Sequence, residues 1–224
     1  PFFASLSRRI NKSKTTAIPT AGVRVNPNTG RYEMVYNPEF FEKLTPVERA
    51  GVLKHEFYHL IFEHVTGRLP PEGLTKMWNV ATDLAINSFL VGELPEGGCI
   101  PQKAPFEAYP LEQSAEFYFD MLKNDEQFQP EDGDGQDGGD GDGDGEGQGS
   151  PSGGGGGGLP DSLDDHSGWG EDVDQGMKEV AEQRLKEDLK DIVDEINGGG
   201  KGWGSVGAKV RKQIQDFITP KVDW

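Results

Sequence analysis

Between residues 22 and 36 the chain alternates between apolar and polar positions. Val23-Arg24-Val25 and the run from Arg31 to Val35 flank Asn26-Pro27-Asn28-Thr29-Gly30, a stretch of turn formers. Tyr32, Met34 and Tyr36 share one face, and Arg31, Glu33 and Val35 the other. This period-two pattern around a short turn predicts a β-hairpin. From residue 46 the period becomes helical. Thr45-Pro46-Val47-Glu48 is a capping box with proline in the first turn: Thr45 accepts from the Glu48 amide and Glu48 accepts from the Thr45 amide. A helix is predicted from Pro46 to about Thr66, closed by Gly67 with Pro70 and Pro71 beyond. A second, largely apolar helix is predicted from Thr75 to Leu90, ended by Gly92. A proline-containing loop over 93–110 and a short amphipathic helix over 112–123 follow. The first eighteen residues carry Arg8, Arg9, Lys12 and Lys14 among a few apolar positions and predict a short helix, then a loop.

After residue 128 the apolar pattern stops. Residues 129–158 are Gly, Asp, Gln, Ser, Pro and Glu, and such a segment has nothing to bury against its conformational entropy, so a disordered acidic linker is predicted. Within it, Asp140-Gly141-Asp142-Gly143-Asp144-Gly145 begins like a calcium loop, but Pro151 stands where the closing Glu is needed and no helices flank it. Beyond the linker, 172–196 predicts a helix carrying Val173, Met177, Val180, Ile192, Val193 and Ile196, stopped by Gly198-Gly199-Gly200. Another helix is predicted over 205–218. These helices hold too little apolar material for a core of their own and are expected to pack on residues 1–128 or on a protein partner. The organisation expected is a core over 1–128, the linker over 129–158, and a C-terminal segment over 159–224. The fold class is α+β: a small antiparallel hairpin or sheet with two packed helices, plus the C-terminal helices.

Composition changes this picture in two ways. The apolar fraction of the 224 residues is only 33%, but the deficit concentrates in the linker, so residues 1–128 can still bury a core. The formal charge is −17, and eight of the acids lie in the linker. An acidic chain repels phosphates and anionic lipid, which argues against nucleic acid and membrane surfaces as partners. No apolar run reaches the ~18 residues of a spanning helix. The opening residues are too short and wrongly ordered for a signal peptide. Cys99 is the single cysteine, which allows no internal disulfide and suits a reducing compartment. A cytoplasmic location is expected.

Candidate chemistry sits in the first long helix. His55-Glu56-Phe57-Tyr58-His59 is H-E-x-x-H. Residues four apart on a helix project the same way one turn apart, so two imidazoles can share one Zn²⁺ at roughly 2.0–2.1 Å each. Glu56 is then close enough to take the proton of a water on the metal during attack on a carbonyl. The alternative is a buried helix whose histidines are merely hydrogen-bonded. Two histidines and a glutamate in register, in a chain with four histidines, argue against it.

A catalytic zinc needs a third protein ligand and an open position. Asp83, His64, Glu63, Cys99 and His166 are the candidates. Asn79, Asp83 and Asn87 form a narrow polar stripe on an otherwise apolar helix. A carboxylate there needs a partner, which makes Asp83 the favoured ligand, with a hydrogen bond to one of the imidazoles as the alternative. His64, five residues after His59, should point away from the metal face, and Glu63 lies a turn too far; both are expected to be solvated or capping. Cys99 reads as a small buried apolar residue. His166, in Leu163-Asp164-Asp165-His166-Ser167-Gly168-Trp169, could donate to the oxyanion of a tetrahedral intermediate, serve as a further ligand, or be a loop histidine.

Three segments together resemble a known family: Val52-Leu53-Lys54-His55-Glu56-Phe57-Tyr58-His59-Leu60, then Trp78-Asn79-Val80-Ala81-Thr82-Asp83-Leu84-Ala85-Ile86-Asn87, then Asp164-Asp165-His166-Ser167-Gly168-Trp169. They are similar to the metallopeptidase domain found at the N-terminus of bacterial and phage von Willebrand A-like proteins. The resemblance covers most of the chain apart from the linker and implies a zincin-like domain with His55, Glu56, His59 and Asp83 at its site. Thr219-Pro220-Lys221-Val222-Asp223-Trp224 resembles the segment that leads into the von Willebrand A-like part of those proteins. The more distant thermolysin-like pattern expects a Glu ligand where this chain has Asn79, which is why the role moves to Asp83.

The expected function is a zinc peptidase acting on a peptide or protein substrate, with the hairpin offering an edge strand for an extended peptide. A different class, a metal-containing assembly or regulatory module without chemistry, would use the same ligands but would not need Glu56. Hydrolysis of a non-peptide amide would use the same residues as the peptidase.

Overall fold

The computed structural model describes residues 1–68, 70, 74–128, 158–160, 162–164, 166, 169, 173–200 and 202–219. The predicted linker therefore lies outside the described residues except for Gly158, as do the calcium-like stretch and residues 220–224. The elements are α1 (Phe2–Arg9), β1 (Asn11–Lys14), β2 (Ala21–Asn26), β3 (Arg31–Tyr36), α2 (Pro38–Lys43), α3 (Pro46–Ile61), α4 (Lys76–Asn87), α5 (Ala115–Asn124), a 3₁₀ turn (Glu126–Phe128), α6 (Gln175–Gly199) and α7 (Ala208–Ile218). The architecture is α+β: a small sheet, the H-E-x-x-H helix α3 packed against α4, and the C-terminal helices α6 and α7.

The hairpin forms as its alternation predicts, with Val23 opposite Met34 and Val25 opposite Tyr32. Its turn closes on Gly30, whose φ of +57° suits a residue without Cβ. Glu33, expected on the polar face, is nonetheless buried. Arg24 Nε and Asn26 Nδ2, each 2.8 Å away, donate to its two carboxylate oxygens and offset the cost of that burial. The sheet also has a third strand. β1 pairs parallel with β3, giving the order β1-β3-β2. Its sequence, Asn-Lys-Ser-Lys, is fully exposed and carries no apolar alternation, so only the backbone ladder reveals it. Strand β2 lies at an edge.

Helix α2 begins at an Asn-Pro pair, with Asn37 accepting from the Glu39 amide. The capping box of α3 forms as predicted. The helix ends at Ile61 rather than near Thr66. Glu63 adopts φ +59°, its amide donates to the Leu60 carbonyl, and the amide of His64 donates to the His59 carbonyl. These two bonds make a Schellman turn, usually built on glycine, here with a glutamate in the left-handed position. Gly51, in mid-helix, permits a close approach instead: a Cβ there would lie 2.0 Å from the Glu93 carbonyl oxygen. Helix α4 is capped by Thr75, which accepts from the Trp78 amide.

Two apolar clusters flank the α3–α4 interface. The first joins α1, β2, β3 and α3 with α6 and α7 through Phe2, Leu6, Val23, Met34, Phe57, Leu60, Leu185 and Leu189 among others. The second joins the far side of α4 to α5 and the 99–128 region through Trp78, Leu84, Phe106, Tyr118 and Phe128. The C-terminal helices thus pack on the elements of the first 61 residues. On α6 the buried stripe is Ala181, Leu185, Leu189, Ile192, Val193 and Ile196, while Val180 is exposed. Arg9 ties α1 to α6 through Asp188, Asp191 and Glu195. Among the described residues no helix is long and apolar enough to cross a membrane.

Candidate metal centre

Helices α3 and α4 cross with their polar residues facing each other between the two clusters. His55, Glu56, His59, Asp83 and Asn87 are all fully buried there. The i, i+4 spacing on α3 brings the Nε2 atoms of His55 and His59 to 3.0 Å. Asp83 Oδ1, from α4, is 3.6 Å from each. The fourth group comes from far along the chain: Asp164 Oδ2 is 3.2 Å from His55 Nε2 and 3.3 Å from His59 Nε2. An ion bound tetrahedrally by nitrogen and oxygen keeps its donors about 3.3 Å apart. The five measured separations, 3.0 to 3.6 Å, scatter around that edge. Asp83 Oδ1 and Asp164 Oδ2 are buried and face the imidazole nitrogens of the site at 2.6 to 3.7 Å, a setting in which a cation would satisfy their lone pairs. His55, His59, Asp83 and Asp164 form a buried zincin-type set whose imidazole and carboxylate donors suit zinc.

The outer ring nitrogens show how the imidazoles are aimed. His55 Nδ1 is 2.8 Å from Asn87 Oδ1. Asn87 Nδ2 donates to the Cys99 carbonyl at 2.8 Å, which fixes its amide so that the oxygen faces the ring. His55 Nδ1 must therefore carry the proton, leaving the Nε2 lone pair for a metal. Asn87 belonged to the polar stripe read from the sequence, and this is its place in the fold. His59 Nδ1 is 3.2 Å from Nδ1 of His64. The expectation that His64 faces away is corrected. It assumed that the helix continued, whereas the Schellman turn at Glu63 folds His64 back under His59, where it is completely buried. Burial, then the neighbouring His59, push the His64 pKa well below its ordinary value, so it stays neutral; with His59 Nε2 turned to the metal position, His59 Nδ1 would carry the proton and His64 Nδ1 accept it.

Charge in the cluster is finely set. Burial opposes charging of His55, but Asp164, Asp83 and Glu56 outweigh it and push the pKa up to about 10. Burial and the His55 charge hold His59 below its ordinary value. Burial would raise the Asp164 carboxyl, yet His166 and His55 hold it well below the usual carboxylate range. Burial opposes charging of His166 as well, but Asp164 and Asp83 outweigh it and raise its pKa.

His166 reaches the same place. Its Nε2 is 2.6 Å from Asp164 Oδ2 and 3.7 Å from Asp83 Oδ1, and its ring lies on Trp169 with centroids 3.9 Å apart. Trp169 is buried, meets His59 edge-on, and donates from Nε1 to the Val23 carbonyl of β2 at 2.9 Å. Ser162 Oγ lies 2.6 Å from Asp83 Oδ2 and 2.7 Å from Asp164 Oδ1, so its one proton can be donated to either carboxylate. The structure thus gathers His55, Glu56, His59, Asp83 and His166. The backbone carbonyl of Cys99 accepts from Asn87 at the back of the site. Asn79 Oδ1 is buried without a hydrogen bond, and Asn79 is not among the gathered donors. The sequence reading missed Asp164; its signal was the same polar run before Trp169 that drew attention to His166.

Comparison with curated proteins and with solved structures gives no match. A family model described as "Putative metallopeptidase domain" matches residues 1–224, and the chain belongs to that family. The H-E-x-x-H and aspartate donor geometry supports its identity as a zinc-dependent metallopeptidase.

Proposed function

We propose that this metallopeptidase cleaves peptide bonds in extended substrates, with Glu56 as general base, His55, His59 and Asp83 as the permanent ligands, and His166 as the group that meets the developing oxyanion. The observation that carries this reading is the burial of Glu56 beside His55, with the two imidazoles aimed at one point by Asn87 and His64. When bound, zinc acidifies water to a pKa of about 7 and polarises a carbonyl. Glu56 takes the proton released in the attack and passes it to the leaving amine. His166, with Nε2 within 2.6 Å of an oxygen placed among the donors, donates to negative charge developing there. Asn87 and His64 keep the two imidazoles in the productive tautomer. Strand β2 is an edge strand packed on α3, which supports backbone pairing with an extended peptide.

Further features fit the same reading. The C-terminal helices offer a surface for a protein partner, and the resemblance of Thr219–Trp224 favours a von Willebrand A-like neighbour. The organisation into a 1–128 core, an acidic linker and a 159–224 segment, and a cytoplasmic location, remain part of this proposal. One observation favours the alternative of a non-catalytic metal module: four donors already surround the metal position. A mixed peptide library separates the two. The zinc-loaded chain is expected to cleave it, to stop when a chelator is added and to resume on zinc return. A fully loaded chain that cleaves nothing would favour the module.

A further inference from the structure

Hydrolytic zinc sites keep three protein ligands and one open position, yet four donors from this chain converge on one point. They do not converge from equivalent places. His55 and His59 are on α3 and Asp83 is on α4, helices that each bury one side in a core cluster. Asp164 belongs to neither. It comes from an irregular stretch more than a hundred residues after the histidines, where its own carboxylate is held by the Ser162 hydroxyl while the neighbouring Leu163 and Trp169 pack on the first apolar cluster. We infer that Asp164 is an exchangeable ligand: it fills the position that substrate must use, and the stretch bearing Ser162, Asp164, His166 and Trp169 is an internal occupant of the catalytic cleft.

Three observations converge on this assignment, which rests on the peptidase reading above. First, Asp164 Oδ2 is the oxygen nearest His166 Nε2, at 2.6 Å. If His166 serves a reacting oxygen, Asp164 stands where that oxygen belongs. Second, Trp169 Nε1 bonds the Val23 carbonyl of β2. That carbonyl lies on the edge strand from which an extended peptide would draw its hydrogen bonds, so the stretch engages the strand as well as the metal position. Third, the side chains of His55, His59 and Asp83 are 0% exposed, His166 1% and Asp164 2%. No peptide reaches them in this arrangement. Ser162 is the latch, because its hydroxyl spans Asp83 and Asp164. Release of Asp164 from this position would remove one donor and open the fourth position.

The test compares the full-length chain with Asp164→Ala, Asp164→Asn and Ser162→Ala, each loaded with zinc or with cobalt as a visible reporter. All three variants are expected to keep about one metal per chain, because three ligands suffice. Transfer of zinc to a chromogenic chelator should speed up by about tenfold or more in the Asp164 variants and by less in Ser162→Ala. The cobalt bands should shift on loss of Asp164, and acetohydroxamate should perturb them in Asp164→Ala at concentrations that leave the wild type unchanged. Loss of zinc from both Asp164 variants, with folding intact by circular dichroism, would make Asp164 an obligate ligand and overturn the proposal. So would an unchanged cobalt spectrum, or equal hydroxamate binding by wild type. If Asp164→Ala does not fold, Asp164→Asn carries the test alone. None of these readouts needs peptide cleavage, so a failure of the peptidase reading leaves this result interpretable.

Discussion

Helices α3 and α4 hold His55, His59 and Asp83 on intrahelical ladders, and each outer ring nitrogen of the two imidazoles has a dedicated partner in Asn87 or His64. Asp164 and His166 reach the same point from an irregular stretch, secured by the Ser162 hydroxyl, the Trp169 indole N–H and the packing of Leu163 and Trp169 on the first cluster. The positions in the first region follow from helix geometry and from two apolar clusters. The second has no helix of its own around Asp164 and His166, and rests on the Ser162 hydroxyl and the buried Trp169. The difference separates permanent ligands from an exchangeable one.

The sharpest contrast is between His59→Ala and Asp164→Ala. The first should lose zinc and all hydrolysis, as measured by elemental analysis beside a peptide assay; the second should keep its zinc. Equal loss in both would erase the distinction between the two regions. Next are the partners that aim the helical ligands. Asn87→Ala and His64→Phe should each weaken zinc binding by about 10–100-fold, read by competition with a chelator of known affinity. Affinities within twofold of wild type would show that the outer hydrogen bonds do not organise this site.

A pH measurement refines the comparison further. In the metal-free chain His55 has a pKa pushed up to about 10, so at pH 7 it carries a proton that zinc must displace. Zinc binding should release about one proton, seen as a calorimetric enthalpy that depends on the ionisation heat of the buffer. The sign is fixed: affinity rises with pH towards 10 and falls on acidification. A buffer-independent enthalpy would contradict it. The smallest effect expected is that of Trp169→Phe, which removes the indole bond to Val23 and should cost about 1 kcal/mol of stability in chemical denaturation. No change would mean that the irregular stretch is not anchored on β2.

The same division governs what can be read without a structure. His55, Glu56, His59 and the Asp83–Asn87 stripe were legible because helix periodicity turns sequence spacing into direction. β1 was not, because its exposed polar residues leave no pattern. His64 was misplaced because the helix ends on a left-handed glutamate, and reading the turn from Gly67 put the end of α3 several residues too late. Asp164 was not picked out as a ligand, since no spacing rule links an irregular stretch to a helix far upstream and the polar run before Trp169 was its one signal. Its partner His166 stood out only through its company with Trp169.

The central claim is that Glu56 performs chemistry at a zinc held by its neighbours. The direct measurement is peptide hydrolysis and zinc content on the same preparation of Glu56→Gln. The account predicts about one zinc per chain, as in wild type, with turnover lower by roughly 10²–10⁴-fold. Retained zinc with undiminished turnover would contradict it.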